Sequence, residues 1–132
     1  MSRAAVLVVE DEAPLRTTIC AALTLVGFNT HQAENADAAL NILATEHVDA
    51  VVLDVWLPDP QGLQRCGLTL LRLIRASADH AHLPVLFFTA TPLSPVQELI
   101  VRLNHAYVFY KPRGYADMID QLRVLFDVPA NP

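Results

Sequence analysis

The sequence predicts a doubly wound α/β fold, a five-stranded parallel sheet with helices on both faces. Short uncharged apolar runs alternate along the chain with segments whose apolar residues recur every three to four positions. Apolar residues make up 53% of the 132 residues and charged residues 17%, enough for one sizeable core and too apolar for disorder. No internal repeat or low-complexity stretch interrupts the alternation. Alternating short units of this kind favour right-handed crossovers between parallel strands.

Each element has its own signal. Ala5 to Val9 is β-branched and uncharged, as in a strand buried on both faces, and Glu10-Asp11-Glu12 ends it. Pro14 suits the first turn of a helix. Leu15, Ile19, Ala22, Leu23 and Val26 give that helix an apolar stripe, and Gly27 can close it. Phe28 to Ala33 is a second, less apolar strand, placed at or near an edge. Asn35 is a good N-cap for a helix over about 36–45, with Ala39, Leu40 and Leu43 inward. Val48 to Leu53 is the third strand. A loop containing Pro58, Pro60, Gly62 and Gly67 follows, and Leu68 to Ala76 form the third helix around Leu70, Leu71 and Ile74. Val85 to Phe88 is the fourth strand, ended by Thr89, Ser94-Pro95 starts a helix through about Asn104, and Tyr107 to Tyr110 is the fifth strand. The last helix runs from about Gly114 to Phe126. The expectation is one domain over 1–132, with a core over about 4–126 and a short tail over 127–132.

Charge and composition exclude several functions. The formal net charge is −5 with no Lys or Arg run, which argues against direct nucleic-acid binding. The run from Ala4 to Val9 is too short to span a membrane. Cys20 falls in an apolar helical run and Cys66 in a loop, a pattern that suits reduced thiols and a cytoplasmic location. His31, His47, His80, His82 and His105 include one close pair, His80 and His82, with no third ligand beside it.

In doubly wound sheets, ligands bind beyond the carboxyl ends of the strands, where strand order reverses. The residues just after the strands are Glu10 and Asp11, Asp54, Thr89 and Lys111. An acidic residue after one strand is usually only a solvated turn residue. Here suitable chemistry falls at four strand ends together. Three converging carboxylates repel one another, and a hard cation such as Mg²⁺, with Mn²⁺ as a substitute, would relieve this. Lys111 adds a fixed positive charge and Thr89 a hydroxyl. Such a pocket suits a phosphoryl group, with Asp54 as nucleophile. Asp11, and Glu10 directly or through water, would hold the metal, and the Trp56 backbone carbonyl would add an oxygen.

At these residues the sequence resembles the response regulator receiver family over about residues 4–126. Val6-Leu7-Val8-Val9-Glu10-Asp11-Glu12 is similar to the family's first strand and acidic pair. Val51 to Asp59 resembles the phosphorylation-site strand and its proline turn. Phe87-Phe88-Thr89-Ala90 and Tyr110-Lys111-Pro112 resemble the hydroxyl and lysine motifs. The resemblance implies a flavodoxin-like fold with strand order 2-1-3-4-5 and the role of a stand-alone signalling receiver. It implies that Asp54 takes phosphate from a sensor histidine kinase or histidine phosphotransfer protein and that the acyl phosphate is later hydrolysed. Thr89 and Lys111 would contact the phosphoryl group. The face formed by the fourth helix, fifth strand and fifth helix would then contact a downstream protein or a second copy. The small Ala90 would leave the phosphoryl group accessible. Such a protein is a regulator rather than a turnover enzyme.

Two features depart from the family pattern. The loop after Asp54 reads as an insertion of about five residues, around Pro60 to Cys66. The aromatic position three before the lysine is Val108, with Tyr107 and Phe109 as candidate switch aromatics if a bulge restores the register. A phosphorylation-independent interaction module is the main rival reading. A flavin-binding domain would need a hydroxyl-rich or glycine-rich loop after the first strand, where Glu10-Asp11-Glu12 stands.

Overall fold

The computed structural model describes residues 3–58 and 64–129. Five parallel strands form one sheet: β1 (Ala5–Val9), β2 (Asn29–Ala33), β3 (Ala50–Leu53), β6 (Val85–Thr89) and β7 (Tyr107–Tyr110). Their order is β2-β1-β3-β6-β7, which is the expected 2-1-3-4-5 once two short strands outside the sheet are set aside. β1, β3 and β6 are buried along their whole length, and the polar β2 occupies an edge.

The helices are α1 (Ala13–Leu25), α2 (Ala36–Thr45), α3 (Gly67–Ala76), α4 (Pro95–Leu103) and α5 (Gly114–Phe126). Because strand side chains alternate, the sheet divides the core into two layers. Leu7, Val51, Leu53, Val85 and Phe87 pack with Ala39, Leu43, Leu71, Ile74 and Val101 on the side of α2, α3 and α4. Val6, Val8, Val52, Leu86 and Phe88 pack with Ile19, Cys20, Leu23, Met118 and Leu122 on the side of α1 and α5. Among the described residues no helix is long and apolar enough to cross a membrane.

Local chemistry sets the helix ends. The Asn35 side chain accepts from the Ala38 N–H at 2.8 Å. Ser94 and Gln97 form a reciprocal capping box at the start of α4. Gly27 closes α1 at φ 110°, a left-handed conformation that glycine adopts freely. Its N–H donates to the Thr24 carbonyl, and the Phe28 N–H donates to the Leu23 carbonyl at 3.0 Å.

The segment after β3 differs from the expected plain loop. β4 (Trp56–Pro58) and β5 (Gln64–Cys66) pair antiparallel as a separate two-stranded sheet, so Cys66 ends a strand rather than sitting in a loop. Pro60 and Gly62 lie outside the described residues. Helix α3 starts at Gly67, directly after β5.

Candidate functional site

The order β2-β1-β3-β6-β7 reverses between β1 and β3. Glu10 follows β1 and Asp54 follows β3, so these carboxylates flank the crevice where ligands bind in such sheets. Lys111 follows β7 and reaches across to both. Its Nζ donates to Glu10 Oε1 at 2.8 Å and to Asp54 Oδ2 at 2.9 Å. All three side chains are largely shielded, being 4% exposed for Glu10, 15% for Asp54 and 17% for Lys111. Ion pairs so shielded are weakly screened by salt.

The electrostatics follow from this packing. Burial pushes the Glu10 carboxyl above its ordinary range, and neighbouring Asp11 and Asp54 push the same way, against the pull of Lys111. Burial alone would lower the Lys111 ammonium, but its two carboxylate partners outweigh burial and leave it raised. The lysine therefore stays charged.

The second Asp54 oxygen is also held. The Trp56 N–H donates to Asp54 Oδ1 at 3.1 Å. The hairpin register explains why that N–H is available. The Gly67 N–H donates to the Val55 carbonyl, so the hydrogen-bonded pairs fall at Val55 with Gly67 and, in alternation, at Leu57 with Arg65. Trp56, opposite Cys66, lies between them and turns its main-chain N–H and carbonyl away from β5. Trp56 as a whole is 38% exposed.

Thr89 is fully buried at the end of β6, and its Oγ1 accepts from the Thr91 N–H at 3.3 Å. The Lys111 N–H donates to the Thr89 carbonyl at 2.9 Å, which places the hydroxyl and lysine positions on adjacent strand ends. Asp11 is exposed beside Glu10. The structure thus brings Glu10, Asp54 and Lys111 into direct contact, with Thr89 and Asp11 at neighbouring strand ends. Among the described residues no three acidic, histidine or cysteine side chains form a set able to enclose a metal. Two facing carboxylates with a spare backbone carbonyl still suit Mg²⁺, which retains several waters and takes one or two carboxylates.

The register of β7 is unbroken, with Tyr107, Val108, Phe109 and Tyr110 opposite Leu86, Phe87, Phe88 and Thr89. No bulge shifts the aromatics. Tyr107 and Phe109 pack in the layer of α1 and α5, whereas Val108 packs in the layer of α4. The aromatic that reaches α4 is Tyr110, whose hydroxyl donates to Glu98 Oε1 at 3.4 Å. Strand alternation, which puts Tyr110 on the face of Val108, was the available signal for it.

Sequence reasoning missed two more residues near the site. A Cβ on Gly67 would overlap the Asp54 carbonyl oxygen and approach Phe87 Cε1 at 3.3 Å. Arg16 Nη1 donates to the Glu10 carbonyl at 2.6 Å. The glycine at the helix start was visible in the sequence, but its contact spans a hairpin. The arginine carried no signal beyond its place on α1.

Comparison with known proteins bears on the fold and the family. Residues 6–123 match the family model described as the response regulator receiver domain. Response regulator MprA of Mycolicibacterium vanbaalenii is 31% identical over 122 residues, covering 91% of this chain and 49% of that protein. The phosphate regulon transcriptional regulatory protein PhoB of Klebsiella pneumoniae is 39% identical over 85 residues, covering 64% of this chain and 35% of that protein. The chain thus spans about half the length of these curated relatives, or less. Among solved structures, chemotaxis response regulator CheY4 of Vibrio cholerae superposes with a TM-score of 0.80 at 21% identity, covering 94% of this chain and 99% of that one. A response regulator receiver protein from Pseudomonas putida gives 0.82 at 23% identity, covering 94% and 98%. These structural likenesses speak to the fold.

Proposed function

The chain belongs to the response regulator receiver family of two-component signalling, and from that premise we propose that Asp54 accepts a phosphoryl group from a histidine of a sensor kinase or phosphotransfer protein. The observation that carries this reading is the Lys111 ammonium, held on Asp54 Oδ2 at 2.9 Å and on Glu10 Oε1 at 2.8 Å beyond the strand ends. A carboxylate so placed is a nucleophile with a fixed counter-charge beside it.

One Asp54 oxygen forms the new O–P bond while the N–P bond of the phosphohistidine breaks, and the imidazole nitrogen keeps that electron pair. Lys111 is already within reach to pair with the transferred group. Thr89 Oγ1 accepts from the Thr91 N–H, which leaves its own proton for a phosphoryl oxygen. Asp11, Asp54, Glu10 directly or through water, and the Trp56 carbonyl would hold Mg²⁺ or Mn²⁺, which when bound supplies positive charge against the phosphoryl oxygens. Later attack by water at phosphorus returns the carboxylate and inorganic phosphate. The protein is a signalling regulator, and a cytoplasmic location goes with that role. Its output passes through the face of α4, β7 and α5, where Leu99 and Leu103 are exposed, to a downstream protein or a second copy.

The test is intact mass spectrometry after incubation with a small phosphodonor and Mg²⁺. One added phosphate is expected on the parent and none on Asp54→Ala. Labelling that persists in the variant, or none in the parent, would refute the assignment.

A further inference from the structure

We infer that Arg16 is a positioning residue for the metal-holding loop, and that Gln32 on the edge strand steadies it. This inference rests on the reading of Glu10 and Asp11 given above. Arg16 Nη1 donates to the Glu10 carbonyl at 2.6 Å, a short charge-assisted bond. Its Nε donates to Gln32 Oε1 at 3.2 Å. The Arg16 backbone N–H donates to the Glu12 carbonyl at 2.9 Å, which fixes the side chain's origin in the first turn of α1.

The bonded carbonyl belongs to the peptide joining Glu10 to Asp11. Its plane sets how the two acidic residues are presented to one ion. The Glu10 N–H is held by the Ala33 carbonyl at 3.0 Å. Glu10 is therefore fixed through its N–H by the end of β2 and through its carbonyl by a guanidinium that the same strand supports. The contrast with Lys111 is informative. Lys111 occupies carboxylate oxygens that a metal would use. Among the described residues Arg16 forms no ion pair, although Glu10, Asp11 and Glu12 are all near in sequence. It supports the loop and leaves those oxygens open.

Two explanations of Arg16 predict opposite signs. As a bare positive charge near a cation site, it repels Mg²⁺, and its removal should tighten binding. As a support for the Glu10–Asp11 peptide, its removal should weaken binding. Supporting partners of metal ligands typically account for roughly 10–100-fold in affinity.

Mg²⁺ is titrated into the full chain and followed by the fluorescence of Trp56, the only tryptophan, whose N–H rests on Asp54. Arg16→Met and the charge-neutral Gln32→Leu are compared with the parent, with thermal melting recorded for each. The expected result is a Kd raised roughly 10-fold in Arg16→Met and raised less in Gln32→Leu. Tighter or unchanged Mg²⁺ binding in Arg16→Met overturns the inference. If that variant does not fold, Gln32→Leu decides, and an unchanged Kd there overturns it equally. A lowered melting temperature with an unchanged Kd would make Arg16 merely structural. Absence of Mg²⁺ binding in the parent refutes the reading of the site itself, and this inference with it.

Discussion

Each oxygen of Asp54 has its own donor, Lys111 Nζ on Oδ2 and the Trp56 N–H on Oδ1. The backbone beneath is confined as well, because Gly67 leaves no space for a Cβ against the Asp54 carbonyl. Gly67→Ala must therefore move the backbone beside Asp54. The expected loss is about 1–3 kcal/mol, as for other insertions into a packed interior, checked by urea denaturation. A variant as stable as the parent would show that the contact relaxes freely. Asp54, Lys111 and the pair Glu10-Asp11 stood out in the sequence because each follows an apolar strand, where a charge breaks the run. Glycine's contact was not legible, since it depends on the path of the hairpin between Asp54 and Gly67. The carbonyl hold by Arg16 was equally hidden, because a side chain bonding to backbone leaves no pattern in residue type.

At the scale of elements, several helix ends were readable from residue type. Asn35, Ser94 and Gly27 each act where their side chains or conformational freedom suggest. The β4–β5 hairpin was not readable. Its strands are three residues long, and Pro58 stands in one of them opposite Gln64. Strands so short show no alternation to read, and proline in a run argues against a strand except at an edge. Helix α4 is the least anchored of the helices described, with Val101 its one buried residue and Val96, Leu99 and Leu103 exposed. Its stability therefore leans on the Ser94 capping box. Ser94→Ala should weaken it by about 1 kcal/mol. The effect should be local, seen as faster amide exchange over the first turns of α4 with α3 unchanged. Uniformly faster exchange across both helices would contradict this view of α4 as a separately mobile element.

At the scale of the whole molecule, Lys111 joins parts of the chain that are far apart in sequence, bonding Glu10 across 101 positions and Asp54 across 57. It closes the carboxyl end of the sheet from an edge strand to the centre. Its ammonium is pulled down by burial but raised on balance above its ordinary 10.5 by the two carboxylates. The folded state therefore holds this proton more tightly than the unfolded state. Below about 10.5 both states are protonated and the contribution is fully present; above it the unfolded chain releases its proton first, and stability falls through the folded value. Burial also raises the Cys20 thiol and the Tyr115 hydroxyl, so alkali weakens the fold through them too. Lys111→Met isolates the lysine. At neutral pH it leaves Glu10 and Asp54 facing each other without a cation, an expected loss of about 3 kcal/mol, the low end for removing one partner of a buried pair. In strong alkali the parent's lysine is neutral, and the same two carboxylates face each other in both proteins. The difference in urea stability between parent and Lys111→Met should therefore close as pH rises beyond about 10.5. A difference that stays constant across that range would mean that Lys111 stabilises the fold by packing its alkyl chain rather than by its charge.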